Sequence, residues 1–166
     1  EFLSTLINVD QYPLKRLASM TASEATKVLE NTYRAVNIAF IDEWTKYSEL
    51  IGVDLYEIVD AVRVRPTHSN IRFPGLGVGG YCLTKDPLFA LASLGSLFNI
   101  DGPEFVFSKL AIEVNQKMPL HTVRRLSILM NNELEKKNIL IMGVSYKGDI
   151  GDSRFSPSEL LVRTLT

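Results

Sequence analysis

Apolar residues recur at helical spacing over most of the chain, and the pattern breaks twice. The longest run is Ala25, Val28, Leu29, Val36, Ala39, Phe40, Tyr47, Leu50 and Ile51. That spacing predicts one helix over 22–51, with Gly52 as its stop. Thr21 and Glu24 stand three apart ahead of it and read as a capping box, Thr21 at the N-cap. Such a helix is about 45 Å long, where most span about 11–12 residues. Helices of that length run through a helical domain or along a subunit interface. Before it, residues 9–13 read as a turn, because Pro13 biases Tyr12 away from helix, and 14–18 as a short helix.

The pattern restarts at Asp54, which opens a helix of about two turns to Val62. It fails from Arg63 to Leu83, where Pro66, Pro74 and the glycines exclude regular helix. Asp86-Pro87 restarts a helix with proline at its first position. Leu88, Phe89, Leu91, Ala92 and Leu94 fill it, and Gly95 weakens its end. Gly102-Pro103 opens another long run through Phe105, Val106, Leu110, Ala111, Val114 and Met118. Pro119 is expected to break or kink it before it resumes at Val123.

The second break comes at Lys137. Residues 138–144 are a short apolar run between turn residues, which suits a buried parallel strand. A polar loop follows, then Ser156-Pro157-Ser158-Glu159 as N-cap, N1 and N3 of a last helix. Strand, loop and helix are the opening of an α/β domain. The expected fold is therefore mainly α, with a helical domain over 1–134. The first β-α unit of an incomplete α/β domain follows over 135–166. The chain starts at Glu1 and stops inside a helical pattern, so it is expected to be a piece of a longer protein.

Composition narrows the function classes. The 166 residues carry a net charge of −1 and one cysteine. That balance gives no electrostatic footprint for nucleic acid or an anionic membrane surface. No apolar stretch is long enough to cross a bilayer. A lone cysteine forms no intrachain disulfide, and the absence of a leader pattern makes a cytoplasmic protein the default. His68 and His121 show no metal-ligand spacing.

The candidate chemistry gathers in residues 73–87. Gly75-Leu76-Gly77-Val78-Gly79-Gly80 satisfies the dinucleotide pattern G-x-G-x-x-G, with Asp101 about twenty residues on. Its context argues against that reading, because Arg72 and Pro74 replace an apolar strand and the next helix waits until Asp86; a plain flexible surface loop is the other alternative. Cys82 lies just before a helix start with Lys85 nearby, a setting that favours thiolate. It is either a nucleophile or a small buried hydrophobe. Asp86 is either a helix cap or a carboxylate that orients water or a proton donor. On the long helix, Lys27 and Asn31 share a face. They are either a snorkelling lysine and its neighbour or an ammonium and a carboxamide aimed at an oxyanion. After the expected strand, Tyr146-Lys147-Gly148-Asp149 with Asp152, Arg154 and Ser156 sits where open α/β sheets bind ligands; it is either a solvated polar loop or a site where Lys147 and Arg154 hold phosphate oxygens. The G-x-x-x-x-G from Gly143 to Gly148 is no P-loop, because Asp149-Ile150 replaces Lys-Ser/Thr.

These stretches, in this order, resemble the nucleotide-sugar 6-dehydrogenase family of UDP-glucose, UDP-N-acetylhexosamine and GDP-mannose dehydrogenases. Glu24 to Thr32 is similar to its E-x-x-K-x-x-x-N helix. Pro74 to Cys82 with Lys85-Asp86-Pro87 is similar to its G-x-G-G-x-C-x-x-x-D-P loop. Gly143 to Lys147 with Asp152 to Pro157 is similar to its G-x-x-[FY]-K and D-x-R-x-S-P pair. The match runs from about residue 15 to the end. It implies a helical dimerisation domain like the C-terminal part of 6-phosphogluconate dehydrogenase, a UDP-sugar substrate, NAD as cofactor and a homodimer. It implies two successive oxidations of the sugar C6 alcohol to a uronic acid, with Cys82 as nucleophile. Lys27 and Asn31 would stabilise the oxyanion, and Asp86 would assist water or proton transfer. Phe73, Pro74, Gly75, Leu76, Gly77, Val78 and Gly79 would lie along the nucleotide-sugar, with Tyr146 and Lys147 at its uridine-phosphate part. Lys85 and Arg154, beside Cys82, would meet NAD. Arg65, with His68 as rival, would reach the neighbouring subunit's sugar.

The family's N-terminal NAD-binding domain and most of its C-terminal domain have no counterpart in this chain, so it is not expected to turn over alone. Tyr81 matches neither the histidine of the N-acetylhexosamine branch nor the serine of the glucose branch, and the sugar stays open. Two other readings remain: a non-catalytic helical dimerisation module, and a β-hydroxyacid dehydrogenase-like protein without covalent catalysis.

Overall fold

The computed structural model describes residues 2–166. The fold is mainly α, with no strand among the described residues. One helix, α1 (Met20–Ile51), forms the spine. It begins two residues earlier than the capping-box pattern implies. Ser19, in extended backbone, is the N-cap, and its Oγ accepts from Ala22 N at 3.1 Å. Thr21 is already inside the helix, and Glu24 therefore cannot close a box. The pattern offered two hydroxyls two residues apart, and only backbone geometry separates them. Ser19→Ala is expected to lower stability by about 1 kcal/mol, and Thr21→Ala by under about 0.5 kcal/mol, in urea titrations. Gly52 ends α1 as expected, at φ 72°, with its N–H and that of Val53 both on Ser48 O; only glycine reaches that angle without strain.

Helix α2 (Leu55–Arg63) starts at Asp54, whose side chain accepts from Tyr56 N. The short helix α3 (Phe89–Ser93) is entered by a 3₁₀ turn, Asp86–Leu88, and left by a π-turn, Leu94–Phe98. Residues 9–12 turn as expected, but 14–18 form no helix.

Helix α4 (Val106–Leu129) departs from expectation at both marked prolines. It starts at Val106 rather than at Gly102-Pro103. The chain first folds back, so that a Cβ on Gly102 would meet Leu94 Cδ1 at 2.3 Å. Pro119 does not interrupt it. Proline removes one helical N–H and crowds the carbonyl four residues back. Here that carbonyl, Asn115 O, faces Gly77 closely enough that a Cβ there would lie 2.6 Å away. Packing on both sides then holds the helix through the defect.

The core lies where α1 meets α4. Ala35, Ala39 and Ala111 are small enough for close approach, with Val36 and Val114 beside them. Buried Asn115 donates from Nδ2 to Ala35 O at 3.0 Å and ties the two backbones together. At the far end, Glu49 receives His121 Nε2 (2.7 Å) and Arg125 Nε (3.1 Å). A second cluster, Ile41, Leu55 and Val59, docks α2 on α1 with Ile71 against it.

Helix α5 (Pro157–Leu165) begins as its sequence predicts, with Ser156 Oγ accepting from Ser158 N, and packs on α4. The expected strand at 138–144 is absent. These residues carry no regular structure, and Leu140, Met142 and Val144 are 84%, 88% and 69% exposed. A strand exists only through ladder bonds to a neighbour, and among the described residues no other strand lies beside this run. No helix among the described residues is long and apolar enough to cross a membrane.

Candidate active site

The 3₁₀ turn after the glycine loop meets the first third of α1. Asn31 is fully buried on α1, four residues ahead of buried Ala35. Its Nδ2 donates to Asp86 Oδ2 at 2.7 Å, bridging 55 positions of sequence. Lys85 Nζ donates to Asp86 Oδ1 at 2.8 Å. The N-cap of the turn is Lys85, and no side chain caps it. Asp86 is therefore not a helix cap: both of its oxygens are held by side chains. Lys85 is raised above its ordinary pKa, chiefly by this hydrogen bond.

Cys82 is exposed and unpaired. Its carbonyl accepts from Lys85 N (3.1 Å) and Asp86 N (2.9 Å). That turn keeps the thiol and the Asp86 carboxylate on one short, internally bonded segment, braced by Thr84 Oγ1 on Gly80 O. The small-buried-hydrophobe reading of Cys82 does not hold.

Lys27 stands apart from this cluster. Its Nζ pairs with Glu30 Oε2 at 2.8 Å in solvent. Lys27's hydrogen bond and charge hold the Glu30 carboxyl below its usual range. So the two residues that share a face by spacing differ in depth, Asn31 inside and Lys27 outside.

The glycine loop is clamped from α2. Arg63 donates from Nε and an η nitrogen to Ile71 O (3.0 and 2.8 Å), and its guanidinium lies 4.0 Å over the Phe73 ring. Tyr56 stacks on Phe73, with ring centroids 5.5 Å apart, and its hydroxyl donates to Pro74 O at 3.4 Å. Sequence reasoning passed over Tyr56 and Arg63. Their spacing of seven on one helix put them on one face, which was the available signal.

The glycines are close-approach positions, but their neighbours here are protein atoms. A Cβ on Gly79 would lie 2.5 Å from Tyr146 Cβ and 2.8 Å from Phe155 O; one on Gly80, at φ +82°, would strike the Tyr146 ring. Gly80 N also donates to Arg154 O at 2.9 Å. The loop around Cys82 and the loop 145–157 are thereby one surface. Gly75 has nothing within 4 Å. Gly79→Ala is expected to destabilise the chain by about 1–3 kcal/mol, while Gly75→Ala is neutral or stabilising by up to about 1 kcal/mol. Thermal melts of the two variants check this.

On that joint surface, Lys85 Nζ sits 4.3 Å from the Tyr81 ring centre and 4.4 Å from that of Phe89, and the Arg154 guanidinium is 5.5 Å from Tyr81. Arg154 grips Asp152 through Nε and an η nitrogen (2.7 Å for the shortest contact), which holds the Asp152 carboxyl at about 2. Lys147 is exposed. Arg65 and His68 lie on an exposed turn, His68 Nδ1 against Thr67 Oγ1. No hydrogen bond or ion pair joins either to the Asn31–Asp86 pair. Leu76 and Val78 are half-buried within the loop. Among the described residues no cluster of three His, Cys, Asp or Glu could hold a metal.

A helical spine thus carries a buried carboxamide against the carboxylate of the Cys82 turn. The description that matches is "UDP-glucose/GDP-mannose dehydrogenase family, central domain", over residues 21–117. The chain belongs to that family. It is 36% identical over 149 residues to UDP-N-acetyl-D-mannosamine dehydrogenase of Methanocaldococcus jannaschii, covering 90% of this chain and 32% of the relative. It is 33% identical over 144 residues to NDP-N-acetyl-D-galactosaminuronic acid dehydrogenase of Ralstonia solanacearum, covering 86% and 32%. Among solved structures it resembles UDP-D-ManNAc dehydrogenase from Pyrococcus horikoshii (TM-score 0.73, 31% identity, 89% of this chain and 34% of that one). It also resembles NDP-N-acetyl-D-galactosaminuronic acid dehydrogenase from Methanosarcina mazei (TM-score 0.74, 30% identity, 89% and 33%). The chain spans about a third of the length of the curated relatives it matches.

Proposed function

We propose that this chain is the central part of an NAD-dependent UDP-sugar 6-dehydrogenase that oxidises a sugar C6 alcohol twice, to the uronic acid, through Cys82. The observation that carries the reading is the contact between buried Asn31 and Asp86, four residues past an exposed cysteine. It joins a carboxamide donor, a carboxylate and a nucleophile on rigid elements.

In this reading the C6 alcohol loses a hydride and a proton and becomes an aldehyde. The Cys82 sulfur bonds to C6 while its S–H bond breaks and that proton goes to the former carbonyl oxygen, which gives the thiohemiacetal. Loss of a second hydride and that proton leaves a thioester. Water then adds, the C–S bond breaks, and acid and free thiol result. Asn31 Nδ2 and the Lys27 ammonium stabilise the oxygen as charge develops. Lys27 exchanges Glu30 for the sugar to do so. Asp86 receives and returns the water's proton.

NAD, when bound, accepts the hydrides. Lys85 and Arg154, two cations around an exposed aromatic ring beside Cys82, suit an anionic dinucleotide and would hold it. Open Gly75 and the clamped Phe73-Pro74 backbone would follow the nucleotide-sugar, with Leu76, Gly77, Val78 and Gly79 continuing it. Tyr146 and Lys147 would take the uridine-phosphate part. The names of the relatives favour an N-acetylated hexosamine as the sugar.

Residues 1–134 would be the helical domain and 135–166 the start of the C-terminal one. The exposed apolar run at 138–144 supports this, since it fits a strand whose neighbours lie elsewhere in a longer chain. A homodimer is supported by α1, where Tyr33, Phe40, Trp44 and Tyr47 form an exposed aromatic stripe, and Arg65 would cross to the partner's sugar. A cytoplasmic setting goes with this metabolism.

The test is NADH production by the longer protein over a panel of nucleotide sugars. Two NADH per UDP-N-acetylhexosamine are expected; none with any sugar in the panel refutes the reading.

A further inference from the structure

We propose that Arg34 is a positioning residue that locks the Asn31 carboxamide in its productive orientation; this rests on the active-site reading above. An amide has one donor end and one acceptor end. An η nitrogen of Arg34 donates to Asn31 Oδ1, while Asn31 Nδ2 donates to Asp86. A guanidinium only donates and an ionised carboxylate only accepts. The amide is thus held between the two in one sense. Turned over, it would set oxygen against carboxylate and NH₂ against guanidinium, two repulsive contacts in a buried place.

The surroundings of Arg34 fit that task. It lies one turn beyond Asn31 on α1, with its side chain 35% exposed and its Nε buried without a partner. Its carboxylate neighbour, Glu30, is 3.9 Å away and already engaged by Lys27. Arg34 is therefore not committed to a tight ion pair of its own, and its one short contact is the carboxamide. The order Lys27, Glu30, Arg34, Asn31, Asp86, Lys85 is a continuous polar chain. It links the exposed lysine proposed to meet the sugar with the Cys82 turn.

Two measurements test this. The first uses the 166-residue chain and follows exchange of the Asn31 side-chain NH₂ protons by NMR. Arg34→Ala is expected to lose at least about tenfold of their protection, and Arg34→Lys to keep most of it. Unchanged protection in Arg34→Ala overturns the inference whatever the activity. The second uses the longer protein with its UDP-sugar. Arg34→Ala is expected to lower kcat about 10- to 100-fold, with KM within about threefold. Millimolar guanidinium should restore part of the loss in Arg34→Ala and none in Asn31→Ala. A kcat within about twofold of wild type, or a loss that neither lysine nor guanidinium restores, overturns the inference. A wild-type enzyme that makes no NADH refutes the proposed function instead, and the exchange measurement still decides the role of Arg34.

Discussion

Cys82→Ser in the longer protein is expected to abolish uronic-acid formation, with turnover reduced by about 10³-fold or more. A hydroxyl is far less nucleophilic than a thiolate near neutral pH, so capture of the aldehyde slows. Any oxygen ester that does form has a poorer leaving group than the thioester, so release slows as well. The exposed position of Cys82 on a turn bonded through its carbonyl means that the substitution leaves the backbone alone. Melting temperature should therefore stay put while product disappears. Product mass and NADH stoichiometry check it: on the proposed function, wild type is expected to give two NADH and the acid, and the variant no acid. Undiminished uronic acid from Cys82→Ser would rule out the covalent route. It would turn attention to a dehydrogenase that works without a cysteine.

The features legible from sequence were those decided within a few residues. Asp54 capping α2, Gly52 ending α1 and Ser156-Pro157 opening α5 each depend on local backbone chemistry, and each stands. The α1 start was misplaced because Ser19 and Thr21 offer the same hydroxyl, and the preceding backbone decides between them. Locally, Pro119 predicts a break or a kink. The structure tolerates it because packing around α4 outweighs one missing bond. The strand at 138–144 failed for the opposite reason: its apolar pattern is real, but pairing is a property of neighbours. At the site, the motif residues were visible, but their arrangement was not. Nothing in the spacing of Lys27 and Asn31 says that one is buried against Asp86 while the other faces solvent with Glu30. Arg34, Tyr56 and Arg63 carry no motif at all, and they act through contacts that only the fold creates.

The stability of the chain is expected to fall as pH rises from about 4 to 7, and Asp42→Asn is expected to remove much of that fall. Asp42 is fully buried on α1, and neither carboxyl oxygen has a hydrogen-bond partner. Burial pushes its pKa from 3.8 up to about 7, against the opposing charge of Lys46 one turn on. The sign follows from the two states. Below about pH 4 the carboxyl is protonated whether the chain is folded or not, and it imposes no penalty. Between there and about pH 7 the unfolded chain releases the proton and the folded chain does not, which favours unfolding. Above about pH 7 both are ionised and the penalty is complete. At about 1.4 kcal/mol per pKa unit its upper bound is roughly 4 kcal/mol. Asparagine keeps the shape and cannot ionise. Asp42→Asn should therefore match wild type near pH 4 and exceed it by about 1–3 kcal/mol at pH 8, or several degrees in Tm. Urea titrations of both chains at pH 4.5, 6 and 8 measure the difference directly, since every other titrating group is common to the two. A gain of equal size at all three pH values would show that Asp42 meets water or a partner in solution and that its ionisation costs the fold nothing.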